Sequence, residues 1–141
     1  MSLFYGDDFK TASTLTIDYQ FSGFFYGCET IVSAGDLQLP ATTLTSNCYE
    51  GMFYDCTGLT QAPALPATTL VDACYYDMFN GCANLNYIKA MFTTTPASTF
   101  TGNWVNHVAA NGTFVKNSAA SWDVVGVNGV PAGWTVETAE E

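Results

Sequence analysis

The chain has 141 residues, enough for one domain that buries a core of its own. Hydrophobic residues make up 48% and charged residues 11%, which excludes intrinsic disorder, a state of low hydrophobicity and high charge. Thirteen acidic residues against three basic ones (Lys10, Lys89 and Lys116) give a formal net charge of −10; such a surface repels phosphate backbones and anionic headgroups, which argues against nucleic acid and membrane surfaces as partners.

From the N-terminus onward, the first segment, Met-Ser-Leu-Phe-Tyr-Gly-Asp-Asp, lacks the basic start and apolar run of a secretion signal. No later stretch approaches the roughly 18 apolar residues of a membrane span, so direct membrane insertion is not expected. Leu3-Phe4-Tyr5 reads as the strand of a partial repeat with no cap before it, so the natural chain is expected to continue upstream. Asp7-Asp8 lacks the alternating oxygen ligands of a calcium loop and reads as a solvated turn.

The middle of the chain repeats itself. Residues 39–64, LPATTLTSNCYEGMFYDCTGLTQAPA, and 65–90, LPATTLVDACYYDMFNGCANLNYIKA, share 13 of 26 aligned positions without a gap. A period of this length marks repeat units that must stack on one another, because no single unit can bury its apolar face alone. Backwards, Phe24-Phe25-Tyr26-Gly27-Cys28 matches Met52-Phe53-Tyr54-Asp55-Cys56 once a two-residue insertion near Gly35–Gln38 is allowed. Forwards at an offset of 26, Phe100 falls on Cys74, Trp104 on Met78, Val105 on Phe79, Val108 on Cys82 and Phe114 on Ile88. Apolar character persists where identity does not, as expected of shared core positions. The chain therefore divides into a degenerate N-terminal repeat (1–38), repeats at 39–64 and 65–90, a degenerate repeat (91–116) and a C-terminal cap (117–141).

Within a repeat, Cys48, Met52 and Cys56 are spaced i, i+4, i+8, and Cys74, Met78 and Cys82 repeat the pattern. This spacing predicts short helices over 47–54 and 73–80, with Thr45 or Ser46 as N-cap of the first. Short apolar–polar runs at 31–34, 59–62, 85–89 and 113–116 predict one strand per repeat, stacked as a parallel sheet about 4.8 Å apart. Leu39-Pro40 and Leu65-Pro66 end the ladder, since proline forces its predecessor into an extended conformation. After Asn117 the pattern is lost. Trp122, Trp134, the turns Asn128-Gly129 and Pro131-Ala132-Gly133, and a strand-like Trp134-Thr135-Val136 read as a cap covering the last repeat with aromatic side chains. The expected class is α/β: a right-handed leucine-rich-repeat solenoid with a parallel sheet of short strands, short helices opposite and a C-terminal cap.

The pattern Leu-x-x-Ala-x-x-Leu-Pro-x-x-x-Leu-x-x-x-Cys-Tyr-x-x-Met-Phe-x-x-Cys-x-x-Leu resembles the BspA-type leucine-rich repeat of surface proteins from Bacteroides-like bacteria and some spirochaetes. The resemblance covers residues 19–116, and the ending from Gly112-Thr113-Phe114 to Trp134-Thr135-Val136 is similar to the closing segment of many such proteins. It implies a bacterial cell-surface or secreted adhesin-like protein and no catalytic residues. The insertion near Gly35, and Phe100 where a repeat cysteine is expected, depart from the pattern.

The residue types able to carry chemistry have plainer readings. Eight helical residues separate Cys48 from Cys56 by roughly 12 Å, beyond the reach of a disulfide. No Cys-x-x-Cys pair or nearby histidine offers a zinc site. Stacking instead places Cys48 beside Cys74, and Cys28, Cys56 and Cys82 in a column; a ladder of buried thiols and a Cys48–Cys74 disulfide both remain open. His107, the only histidine, matches Gly81 in a turn and reads as solvated, with no Gly-x-Ser-x-Gly or His-Glu-x-x-His motif to recruit it. Asn111-Gly112-Thr113 fits a glycosylation sequon and reads as a turn. No cofactor, metal or catalytic residue is expected.

The sheet face remains. Alternation turns Leu59, Ala62, Leu85 and Ile88 inward and Thr60, Gln61, Asn86, Tyr87, Lys89, Thr113 and Val115 outward. Solenoids commonly bind through such a surface, although the same residues also fit a merely solvated face. The expected function is a non-enzymatic recognition module at the cell surface, binding a protein or glycan through this face. The alternative is a structural spacer with no ligand of its own.

Overall fold

The structure, a computed structural model, describes residues 13–139. Leu3-Phe4-Tyr5 and Asp7-Asp8 lie outside the described residues. Three short strands, β1 (Tyr87–Ala90), β2 (Thr113–Asn117) and β3 (Thr135–Ala139), form a parallel sheet in the order β1-β2-β3. One four-residue helix, α1 (Ser98–Thr101), is the sole α-helix among the described residues. Turns and irregular connections make up most of the rest.

The register follows the repeat. Tyr87 pairs with Thr113, Ile88 with Phe114 and Lys89 with Val115, each 26 residues further on. The expected strands at 85–89 and 113–116 are therefore present and parallel. Those at 31–34 and 59–62 shrink to single parallel bridges, Ser33 to Gln61 and Gln61 to Tyr87. Each ladder stops for a local reason. Past Ser33 the chain enters a turn closed by Leu37 N–H donating to the Ala34 carbonyl (3.0 Å), at the site of the two-residue insertion. After Ala62, whose N–H donates to the Tyr87 carbonyl at 3.1 Å, Pro63 has no N–H and interrupts the pairing, which resumes only as a second isolated bridge, Leu65 to Ala90. The strand-like segment of the cap continues the same sheet, as β3: Thr113 pairs with Thr135 and Asn117 with Ala139.

The helices expected over 47–54 and 73–80 are not formed. Left-handed residues recur every fourth position: Asn47, Gly51 and Asp55 (φ 58, 59 and 56°), then Ala73, Asp77 and Gly81 (φ 50, 55 and 83°). A right-handed helix cannot tolerate that recurrence. The chain instead folds into a ribbon of tight turns whose hydrogen bonds alternate. Met52 N–H donates back to the Tyr49 carbonyl (3.2 Å) and Tyr54 N–H to the Gly51 carbonyl (3.1 Å), whereas Gly51 and Phe53 donate across to Tyr76 and Met78 of the next ribbon (2.8 and 2.9 Å). Every donor is satisfied, half within the ribbon and half by its neighbour. With no helix there is no N-cap; the Thr45 hydroxyl donates to the Ile17 carbonyl at 2.8 Å, and the Ser46 carbonyl accepts Tyr19 N–H at 3.1 Å.

Ala73 carries a side chain at φ 50°, where its equivalents are Tyr19 and Asn47. A left-handed L-residue costs about 1–2 kcal/mol, partly offset on changing to glycine by that residue's greater unfolded-state freedom. Ala73→Gly is expected to raise stability by up to about 1 kcal/mol. Thermal unfolding of the variant reads this directly, and a lowered midpoint would contradict the ribbon geometry.

Stacking brings like residues over like. Phe21, Tyr49 and Tyr75 form one aromatic column (centroids 5.9 and 6.0 Å apart), and Phe25, Phe53 and Phe79 a second (5.3 and 5.7 Å). Met52, Met78, Leu59, Leu85 and Ile88 lie between ribbons and sheet, all fully buried. At the C-terminal end Trp104 takes the methionine position and packs on Tyr75 (5.9 Å). Trp122 stacks on Phe92 at 5.2 Å. The three tryptophan N–H groups donate to backbone carbonyls across the cap: Trp104 to Gly129, Trp122 to Phe92 and Trp134 to Ala109.

Candidate functional site

The sheet brings the expected outward residues into rows. One row runs Ser33, Gln61, Tyr87, Thr113 and Thr135 across five successive segments. A second runs Lys89, Val115 and Glu137. Gln61 and Asn86 are exposed; Thr60, Tyr87, Lys89 and Thr113 are half-buried. Val115 is 8% exposed and belongs with the buried residues: on the central strand it sits between Lys89 and Glu137, whose longer side chains limit its access to water. The inward set, Leu59, Ala62, Leu85 and Ile88, is buried throughout.

Ser33 and Thr135 were not among the outward residues read from the sequence. Ser33 could have been found, because the offset of 28 that aligns Cys28 with Cys56 also places Ser33 on Gln61. Thr135 carries no such signal, since the cap has left the repeat. The Thr60 hydroxyl is already engaged, donating to the Val32 carbonyl at 2.8 Å. Lys116 turns away from the face: its ammonium donates to the Trp122 carbonyl at 2.7 Å and lies 4.7 Å from the centre of that indole ring.

All five cysteines are free thiols, packed as the repeat spacing implies. The Cys56 thiol donates to the Phe25 carbonyl and the Cys82 thiol to the Phe53 carbonyl, both at 3.0 Å, and Cys48 approaches the Cys74 carbonyl at 4.0 Å. Burial, reinforced by the neighbouring Cys74, pushes the Cys48 thiol from an ordinary 9.0 up to about 12. Burial and then Cys56 do the same to Cys82, also to about 12. These thiols are poor nucleophiles, because the thiolate is the reactive form. Among the described residues, no group of three or more His, Cys, Asp or Glu side chains could hold a metal ion. His107 is exposed at φ 61°, in the turn position that Gly81 occupies at φ 83°.

Two measurements follow from the thiols. Titration under denaturing, non-reducing conditions is expected to count five; a count of three would reveal a disulfide, with Cys48–Cys74 the first suspect. In reducing buffer, stability is expected to fall as pH rises from about 9 towards 12. In that window the unfolded chain releases thiol protons that folded Cys48 and Cys82 retain, so unfolding gains from each further rise in pH. A denaturation midpoint flat from pH 8 to 11 would show these thiols to be solvated.

No described helix is long and apolar enough to cross a membrane. No family model, curated protein or solved structure matches the chain.

Proposed function

We propose that this chain is a non-enzymatic recognition module of the BspA leucine-rich-repeat type, secreted or displayed on a bacterial cell surface. It binds a protein or glycan through the outer face of its sheet. In this reading the coils form a short right-handed solenoid; parallel strands joined by crossovers are right-handed in about 98% of cases. Support comes from the 26-residue offset of the β1–β2 pair and of the second and third ribbons, each repeat contacting its neighbours in turn.

The observation that carries the binding role is the row Ser33, Gln61, Tyr87, Thr113 and Thr135. It sets uncharged amide, phenol and hydroxyl groups at strand spacing, about 4.8 Å, on an acidic protein. Such a row offers a partner repeated polar contacts with an aromatic ring near the middle, the residue type over-represented in binding hot spots.

The test is a screen of the protein against matrix proteins and glycans, repeated with Gln61→Ala and Tyr87→Ala. A partner bound by the parent and lost by both variants, with unfolding midpoints unchanged, is the expected outcome. A partner held equally well by the variants would move binding off this face.

A further inference from the structure

A second surface lies on the turn ribbons. A groove of about 230 Å³ runs along the stacking direction over three successive ribbons. Its floor is Gly23 and Gly51, equivalent positions at φ 62 and 59°. One wall is Tyr26 and Tyr54, whose rings stack nearly parallel (4°) with centroids 5.0 Å apart. Glu50 contributes to the lining, and so does Asp77, which stands on the third ribbon where the first two carry glycine.

The glycine floor keeps the groove open. A Cβ built on Gly23 or Gly51 meets nothing closer than its own tyrosine's Cβ at 3.9 Å, so no clash demands glycine there. Nor does backbone conformation alone, because Asp77 and Asn103 hold the same positive φ (55 and 52°) at the equivalent positions. Both carboxylates are held in place: the Asn47 amide donates to Glu50, and the Asn80 amide to Asp77 at 2.9 Å. Each keeps a second oxygen for other partners. Among the described residues, no lysine or arginine lines the groove.

We propose that this groove receives a lysine or arginine side chain from a basic segment of a partner protein. The alkyl stem lies along the tyrosine wall over the glycine floor, and the cationic head sits between Glu50 and Asp77. Aromatic rings and carboxylates together suit such a group, one through the ring quadrupole and the other through charge-assisted hydrogen bonds. Charge complementarity favours this occupant over an acidic or phosphorylated one, which an acidic wall would repel. On the wall itself, desolvation raises the Tyr54 phenol above its ordinary value, and the Asp55 and Asp77 carboxylates add to the rise.

The probe is acetyl-Gly-Arg-Gly-amide, with its lysine counterpart and its citrulline counterpart, a neutral isostere, followed by amide NMR on the whole chain. Saturable shifts confined to Gly23, Gly51 and Asp77, with Kd of about 1–10 mM for a single side chain, are expected for arginine and lysine and not for citrulline. Glu50→Gln with Asp77→Asn is expected to weaken binding at least about tenfold. The charge-matched control Asp36→Asn with Asp123→Asn, at exposed positions away from the groove, is expected to change it less than about twofold, which separates a site from general attraction to an acidic protein. Gly51→Asn fills the groove without altering charge, and the backbone tolerates it because Asn103 holds the equivalent φ; binding is expected to be lost while the fold persists. Equal effects of the two charge-pair variants, equal binding of citrulline, or the same shifts produced by a neutral disaccharide would each overturn the proposal. Failure here would leave the sheet-face reading intact, since none of these residues lies on the sheet.

Discussion

Trp104→Ala is expected to cost about 3–5 kcal/mol, the usual range for truncating a buried tryptophan. Trp104 is fully buried where the last ribbon meets the cap. Its ring lies within 5.8–6.1 Å of Tyr75, Phe79, Phe92 and Phe114, measured between centroids. Its N–H donates to the Gly129 carbonyl at 3.0 Å. The alanine variant therefore loses packing on four sides and strands a buried acceptor, while the end of the stack loses its cover. Trp104→Phe keeps most of the ring and removes the donor, so a smaller loss of about 1–3 kcal/mol is expected. Chemical denaturation of both variants measures the pair. A cost below about 1 kcal/mol for the alanine would mean that the cap is not held through this residue.

The second large effect tests which side of each repeat faces inward. Met52 and Met78 are equivalent, fully buried positions, and Met52→Ala and Met78→Ala are each expected to cost about 2–5 kcal/mol. Tyr87→Ala, on the half-buried outer row, is expected to stay within about 1 kcal/mol, because little buried area is lost. If Tyr87 proved costlier than either methionine, inside and outside would be exchanged. A one-residue slip of a strand has that consequence, and it would remove the proposed binding face as well.

Periodicity alone was enough to place the inward residues and the cysteine columns. Both depend on which residues recur from one repeat to the next, and recurrence is a property of the sequence itself. The inward set was correct even though the helices were not, because helix and turn ribbon both return a side chain to the same face every fourth residue. Cys48, Met52 and Cys56 point into the core in either conformation.

What distinguishes the two conformations is the backbone, and the spacing of apolar residues is silent about it. The sequence did hold a weaker signal: Asn47, Gly51 and Asp55 occupy every fourth position, and these are the residue types that accept a left-handed φ. Ala73 at the equivalent place hides it in the next repeat. Stacking decided the outcome, since a ribbon can donate alternate N–H groups to its neighbour, as Gly51 and Phe53 do to Tyr76 and Met78, whereas a helix spends all of its own internally. The reduction of two expected strands to single bridges, the recruitment of 135–139 as β3, the burial of Val115 and the opening of the tyrosine-walled groove are likewise tertiary. Each depends on which residue of a neighbouring coil lies alongside, and one coil's sequence contains no record of that.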